Sequence, residues 1–224
     1  MRVLITGGAG FIGSHLAGDL LDLGHAVDVI DDLSTGSMAN VQHLTDNPNF
    51  SVDVDTIENV EKLNAMVGKA DLVYHLAAAV GVQLVVERPL YTIEANIMGT
   101  KYVLEACAKD NTKVVIASTS EVFGKSLDVP FREDGDVLLG PTTCSRWSYA
   151  ASKMVDEFLA LAFHQERKLP AIVIRLFNTV GPKQTGRYGM VIPNFVRQAL
   201  EGEELTVFGD GTQSRCFCHV EDVC

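Results

Sequence analysis

The sequence predicts an α/β fold with a doubly wound parallel sheet and helices on both faces. Two observations lead to this prediction. Short apolar runs rich in Val, Ile and Leu alternate with longer amphipathic stretches over residues 1–180, and a glycine-rich turn joins the first run to the first amphipathic stretch. Continuous apolar runs are typical of parallel strands that are buried on both faces, and their alternation with helices predicts βαβ units.

The predicted elements follow one another in strict alternation. Five apolar runs predict buried strands, at residues 3–6, 26–30, 72–76, 114–117 and 172–175. Three amphipathic stretches predict the longest helices, at residues 12–23, 91–109 and 149–167. Right-handed crossovers between such strands place successive helices on the faces of one sheet.

The regular alternation ends near Gly181, where Gly and Pro become frequent. We therefore predict two domains, with residues 1–180 forming the main sheet and residues 181–224 starting a smaller substrate-binding lobe. Residues 220–224 resemble the beginning of another helix, so we expect this lobe to be truncated.

Composition excludes several classes of function. With 29 acidic against 18 basic residues the formal charge is -11, which argues against a nucleic-acid partner. No apolar run is long enough to span a bilayer, and the first strand begins too early to leave room for a signal peptide.

The five cysteines are irregularly spaced and suggest reduced thiols without a metal site. We expect a soluble cytoplasmic protein.

A glycine-rich turn follows the first predicted strand and opens the first helix. Gly8, Gly10 and Gly13 satisfy the G-x-G-x-x-G pattern of dinucleotide-binding loops. Glycines there allow a tight turn and a close approach of the backbone to a pyrophosphate, and the helix N-terminus attracts the phosphates. The pattern predicts a Rossmann-type fold in which Gly7, Gly10, Phe11, Ile12 and Gly13 contact the cofactor.

Asp31 ends the second predicted strand. A carboxylate at this position can accept hydrogen bonds from adenosine ribose hydroxyls, and with Asp32 it would repel the extra phosphate of NADP. NAD is therefore the predicted cofactor. The alternative is that Asp31 only caps the following turn.

Several motifs in a fixed order resemble those of the extended short-chain dehydrogenase/reductase superfamily, in its nucleotide-sugar epimerase/dehydratase branch. The resemblance covers essentially the whole chain and rests on residues 7–13, 75–78, 118–124, 149–153, 175–178 and 211–215. It implies an enzyme that binds NAD, acts on a nucleotide sugar such as a UDP-sugar, and forms a homodimer through helices 91–109 and 149–167.

Tyr149 and Lys153 lie four residues apart, so both face the same side of a helix. A phenol with an ordinary pKa near 10 is a poor base, and a neighbouring ammonium group would favour the phenolate. The resemblance implies that Tyr149 deprotonates a sugar hydroxyl, that Lys153 tunes Tyr149 and binds ribose, and that Thr119 hydrogen-bonds the same sugar oxygen. A non-catalytic NAD-binding protein is the rival interpretation.

Ser120 and Glu121 bear on the type of reaction. In the resembled 4,6-dehydratases an Asp-Glu pair follows the threonine, and replacement of Asp by serine disfavours dehydration. A Ser-Glu pair resembles UDP-glucuronate decarboxylases, whereas residues 181–184 and 191–193 look more like a 4-epimerase. We expect UDP-sugar 4-epimerisation, with UDP-glucuronate decarboxylation as the alternative; Glu121 could equally be a structural carboxylate.

The resemblance implies further contacts. On the substrate side, matching positions are Ser120, Asn178 and Arg215, and the last two are expected to contact the diphosphate. Arg187 is a weaker candidate for the same side. The alternative for Asn178 and Arg215 is that either is a residue at the rim of the site in an ion pair. On the cofactor side it implies contacts from Asp55, Thr56, Leu76, Ala77 and Ala78. His75 is expected to be a core histidine and Asn96 a structural support.

Overall fold

The computed structural model of the chain describes residues 1–186 and 189–224. Its strands are β1 Arg2–Thr6, β2 Ala26–Asp31, β3 Phe50–Val54, β4 Leu72–His75, β5 Lys113–Thr119, β6 Ala171–Leu176, β7 Asn178–Val180 and β8 Phe217–His219. Its α-helices are α1 Phe11–Asp22, α2 Val60–Val67, α3 Val82–Glu87, α4 Pro89–Asp110, α5 Trp147–Arg167, α6 Val191–Glu201 and α7 Val220–Val223.

Six parallel strands form the main sheet in the order β3-β2-β1-β4-β5-β6. The order reverses direction between β1 and β4, which pair directly from Val3 opposite Leu72 to Thr6 opposite His75. In open α/β sheets, ligands bind at the carboxyl ends of the strands beside such a switch point. The topology confirms the predicted doubly wound Rossmann-type sheet.

Each face of the sheet has its own core. On one face α2, α4 and α5 cover inward side chains such as Leu4 and Ile116, both fully buried. On the other face α1 packs over Val3, Ile5 and Val29. The apolar runs are continuous because the central strands are buried on both sides.

One strand of the main sheet, β3, has no counterpart in the prediction. It lies at the edge, paired only to β2, and alternates apolar Phe50 and Val52 with polar Ser51 and Asp53. Ser51 donates a hydrogen bond to Asp28, and Asp53 pairs with Lys62 of α2. An edge strand with a polar face lacks the continuous apolar run on which the prediction relied.

The C-terminal region is built differently. Strands β7 and β8 form a separate two-stranded parallel sheet, which pairs residues 178–180 with residues 217–219. Every residue from 201 to 217 is exposed. Among the described residues, no helix has both the length and the apolar character needed to cross a membrane.

Candidate active site

The loop between β1 and α1 requires glycine at two positions. Gly7 has φ +73°, and a Cβ there would lie 2.7 Å from the backbone nitrogen of Ala77. A Cβ on Gly13 would lie 2.5 Å from the carbonyl oxygen of Gly7. These approaches are made by backbone atoms, so a side chain at either position would force the loop apart.

The N-terminus of α1 lies open at the end of this loop. Gly10 is the N-cap residue and no side chain caps the helix there. The first helical hydrogen bond runs from Ser14 N to Gly10 O at 3.1 Å, so the N–H groups of Phe11 and Ile12 precede the helical ladder. Unpaired N–H groups and the helix dipole together suit an anion such as a diphosphate.

Asp31 is fixed beside the loop. Its carboxylate accepts backbone hydrogen bonds from Ala9 at 2.9 Å and from Leu33 at 2.8 Å. Burial raises the pKa of Asp31, while these N–H donors oppose the rise. Asp55 N donates to the Asp31 carbonyl oxygen at 3.1 Å, which places Asp55 and Thr56 at the same sheet edge.

The segment after β4 runs along the same loop. Leu76 N donates to the Thr6 carbonyl oxygen at 3.0 Å, and Ala77 N donates to the Thr6 hydroxyl at 3.3 Å. Ala79 N donates to Asn96 Oδ1 of α4 at 2.8 Å. The structure thus brings residues 76–78, predicted to contact the cofactor, next to the glycine loop, and Asn96 holds the segment that follows them.

Thr119 and Tyr149 lie together at the carboxyl end of β5, and Lys153 lies one helical turn after Tyr149 on α5, where it pairs with Asp156. The Tyr149 hydroxyl hydrogen-bonds the Thr119 side chain, which lowers its pKa, but burial and the nearby charges of Glu121 and Asp156 raise that pKa well above its ordinary value. The charge of Lys153 led us to expect the opposite direction. The main cause of the difference is burial of the phenol, to which the negative charges of Glu121 and Asp156 add, and the Lys153 ammonium group is itself paired with Asp156.

Glu121 lies beside this group in a 3₁₀ turn over Ser120–Phe123. Burial raises the pKa of Glu121, and the positive charges of Arg146 and Arg215 act in the opposite direction. The raised pKa favours the protonated form of this carboxyl group more than in an ordinary glutamate, and the charges of two guanidinium groups reach the same place.

A second ion pair, which is partly buried, fixes the helix that carries Tyr149. Glu157 of α5 accepts two hydrogen bonds from Arg175 of β6, at 2.9 and 2.8 Å, and one from the Ser118 hydroxyl at 2.5 Å. These bonds join α5 to β5 and β6. They hold the N-terminal part of α5 over the sheet edge where the catalytic candidates lie.

The substrate-side predictions have mixed outcomes. Asn178 donates to the Cys216 carbonyl oxygen at 2.9 Å, so its amide ties β7 to the chain before β8. Arg215 is exposed, donates to the Ser214 carbonyl oxygen, and approaches Glu121. Ser120 adjoins Thr119 and Glu121. Arg187 lies outside the described residues.

Sequence reasoning missed three charged residues of this region. Asp156 pairs with Lys153, Glu157 pairs with Arg175, and Arg146 acts on Glu121. A helical spacing signal was present for the first of them, because Asp156 lies three residues after Lys153 and therefore shares its inward face. The contacts of Glu157 and Arg146 come from other elements and carry no local signal.

Comparison with known proteins places this geometry in context. The NAD-dependent epimerase/dehydratase family matches residues 3–224. The chain is 44% identical over 222 residues to UDP-N-acetyl-alpha-D-glucosaminuronate decarboxylase of Bacillus cytotoxicus, covering 99% of the chain and 68% of the relative. It is 37% identical to UDP-glucuronic acid decarboxylase 1 of Xenopus tropicalis, covering 99% of the chain and 51% of that relative.

Among solved structures, the chain is similar to UDP-glucuronic acid 4-epimerase from Bacillus cereus in complex with UDP-glucuronic acid and NAD. The TM-score is 0.88 at 34% identity, with 100% of this chain and 70% of that chain covered. The chain therefore spans about half to two thirds of the length of these proteins.

Proposed function

We propose a function from one premise: the chain belongs to the NAD-dependent epimerase/dehydratase family. The protein binds NAD and oxidises C4 of a UDP-sugar to a 4-keto intermediate. The net reaction favoured here is decarboxylation of a UDP-uronic acid. The observation that carries the proposal is the convergence of Thr119, Tyr149 and Lys153 at the sheet edge that also holds the glycine loop.

The residues at this edge fit NAD. A Cβ on Gly10 would meet only the Gly7 carbonyl oxygen, at 3.1 Å, so the face of the loop at Gly10 is open to a ligand. The N–H groups of Phe11 and Ile12 would hold the diphosphate, and Asp31 the adenosine ribose. Residues 55–56 and 76–78 flank these groups, and Lys153 would bind the second ribose. NAD bound there supplies an acceptor for hydride and later returns it.

In the first step Tyr149 removes a proton. The C4 hydroxyl of the sugar contacts the Tyr149 oxygen, either in place of Thr119 or together with Thr119. The proton of this hydroxyl moves to the Tyr149 phenolate while C4 loses hydride. The raised pKa of Tyr149 keeps this phenol protonated without cofactor. The positive charge of an oxidised nicotinamide and of Lys153 favours the phenolate in the complex.

In the second step a carboxylate at C6 leaves as CO2. The C5–C6 bond breaks and its electron pair moves to C5, where the 4-ketone stabilises it. Glu121, whose pKa is raised by burial, can supply the proton to C5. Arg215 and Arg146 offer the cations that a uronate substrate needs, and both named decarboxylase relatives act on UDP-uronic acids.

A second candidate is 4-epimerisation, the first expectation from the sequence. The similarity to the Bacillus cereus 4-epimerase structure favours it. Both reactions share the first step. In decarboxylation the 4-keto sugar loses CO2, whereas in 4-epimerisation it rotates in the site and hydride returns to the opposite face of C4.

A test separates these outcomes and the non-catalytic alternative. The protein would be incubated with UDP-glucuronate, UDP-N-acetylglucosaminuronate, UDP-glucose and UDP-GlcNAc, with products identified by NMR. We expect a UDP-pentose and CO2 from a uronate, without net change in free NADH. Tyr149→Phe should lower turnover by about 10³-fold or more while bound NAD stays stoichiometric.

Tyr102→Phe on α4 provides the control, because Tyr102 packs against the core away from the site. An epimerised uronate would favour the second candidate. Retention of the biological role by Tyr149→Phe would favour a non-catalytic NAD-binding protein.

The proposal extends to assembly and location. Exposed apolar side chains on α4 and α5 support a homodimer through these helices, among them Leu90, Ile93, Phe158 and Leu161. Sedimentation equilibrium tests this, and a monomer at micromolar concentration would contradict it. Five free cysteines support a reducing, cytoplasmic location, which cell fractionation tests. Residues 181–224 are proposed to start the substrate-binding lobe.

A further inference from the structure

Lys153 is paired with a carboxylate that no part of the proposed function uses. Its ammonium group donates to Asp156 Oδ2 at 2.7 Å, and the two side chains are 3% and 0% exposed. The other carboxylate oxygen, Oδ1, is buried and has no hydrogen-bond partner among the described residues. Burial of two charges carries a large desolvation cost, and a buried pair of this kind is weak evidence for stability alone.

A chain of buried polar groups connects Asp156 to the glycine loop. Ala77 N donates to the Thr6 hydroxyl, Thr6 Oγ1 lies 2.7 Å from His75 Nδ1, and His75 Nε2 lies 3.1 Å from Thr100 Oγ1. Burial raises the pKa of Asp156, and the nearby Thr100 hydroxyl acts in the opposite direction.

In the series of buried polar groups from Thr6 to Thr100, each hydroxyl or ring nitrogen can donate toward Asp156. Burial and the charge of Lys153 lower the pKa of His75 to about 3, so its ring is neutral. With the proton assigned to Nε2, His75 accepts from Thr6 and donates to Thr100, which leaves the Thr100 hydroxyl free to donate to Asp156. This series of polar groups thus ends beside Asp156, which accepts the hydrogen bond from Lys153.

Charges from several elements face the Tyr149–Lys153–Asp156 group. Asp156 and Glu121 each raise the pKa of Tyr149, and Glu157 raises that of Asp156. The groups involved are Lys153, Asp156 and Glu157 of α5, His75 of β4, Thr100 of α4, Glu121 after β5, and, facing Glu121, Arg146 and Arg215.

We propose that Asp156 is a positioning residue: it holds the ammonium group of Lys153 at the end of the buried polar chain and sets how readily Tyr149 gives up its proton. This inference rests on the proposed function for its catalytic meaning. The geometry that carries it is the 2.7 Å ion pair, the unpartnered Oδ1 and the series of buried polar groups that connects Thr6 through His75 to Thr100.

The sign of the effect follows from the charges. A negative Asp156 disfavours the Tyr149 phenolate directly and also offsets the Lys153 charge that would favour it. Removal of the Asp156 charge should therefore lower the pKa of Tyr149 by about one unit. Since Tyr149 acts as a base, the acid limb of the pH–rate profile should move to lower pH by a similar amount.

Asp156→Asn removes the charge and keeps the shape, with the amide oxygen toward Lys153. Asp156→Glu keeps the charge and changes the shape, and Glu166→Gln makes the same charge change at an exposed position of α5. The first readout is the ¹³Cζ resonance of Tyr149 in NAD-bound, labelled protein titrated with base, assigned with Tyr149→Phe.

We expect the resonance to begin moving at a pH about one unit lower in Asp156→Asn, and at an unchanged pH in Asp156→Glu and Glu166→Gln. Equal shifts in Asp156→Asn and Asp156→Glu would show general loosening of the site and overturn the proposal. An unchanged titration in a folded Asp156→Asn protein would overturn it as well. Asp156→Ala replaces Asp156→Asn if the latter does not fold.

The second readout is the pH dependence of kcat with a UDP-uronate substrate. A downward shift of the acid limb in Asp156→Asn supports the proposal, whereas an equal loss of kcat at every pH contradicts it. If no substrate turns over, the proposed function fails while the resonance titration still decides the role of Asp156.

Discussion

The main sheet and the exposed segment at residues 201–217 organise their polar groups in opposite ways. In the sheet body, Glu157 is bonded to Ser118 and Arg175, which come from neighbouring strands. Hydrogen bonds within the exposed segment join near neighbours, such as those of Thr212 with Asp210 and of Arg215 with Ser214, and Cys216 near its end accepts one from Asn178 of β7. The candidate cofactor-binding and proton-transfer residues therefore lie on elements held by contacts between strands and helices, whereas the Arg215 side chain makes only a local hydrogen bond among the described residues.

The largest difference should be in stability. Leu104 on α4 is fully buried, and Leu205 in the exposed segment is 52% exposed. Leu104→Ala should lower the free energy of unfolding by about 2–5 kcal/mol, because it leaves a cavity. Leu205→Ala should change it by less than about 1 kcal/mol. Urea unfolding measures both, and similar costs would show that the exposed segment packs as the body does.

Two glycines of α1 should respond differently to replacement by alanine: one change should abolish NAD binding, and the other should slightly change stability. Gly13→Ala places a Cβ 2.5 Å from the Gly7 carbonyl oxygen and should release bound NAD by distorting the loop. Gly18→Ala meets nothing within 4 Å and should stabilise α1 by about 0.5–1 kcal/mol while NAD is retained. NAD content after denaturation and thermal melting are the measurements.

Full NAD retention in Gly13→Ala would mean that the glycine loop is not the cofactor cradle. Loss of NAD from both variants would point to a general sensitivity of α1 instead.

The smallest effect on stability is expected at Arg215. Its side chain is exposed and bonds only to the neighbouring Ser214 carbonyl among the described residues, so Arg215→Ala should leave the unfolding midpoint unchanged. Turnover of a UDP-uronate should fall by about 100-fold, as expected for loss of a charge-assisted contact. Steady-state kinetics measure this.

Arg132→Ala is the matched control, because Arg132 is also exposed and pairs with Asp134 on a loop. Equal losses in the two variants would remove Arg215 from the substrate site.

Local sequence signals located much of the candidate site. The glycine loop and Asp31 at the end of β2 follow from sequence spacing, whereas Tyr149 and Lys153 were singled out by the family resemblance and only their shared helix face follows from spacing. Strand β3 was not predicted, because this edge strand has only five residues and they alternate between apolar and polar.

The sequence by itself determined the fold class, five of the six strands of the main sheet and the residues expected to bind a dinucleotide, because these depend on periodicity and on backbone requirements of glycine. The electrostatic environment of the catalytic candidates was decided by tertiary structure alone. Tyr149 has a raised pKa because its phenol is buried and because Glu121 and Asp156 approach it. Charge and burial act through space, and spacing along the chain does not reveal which groups will meet.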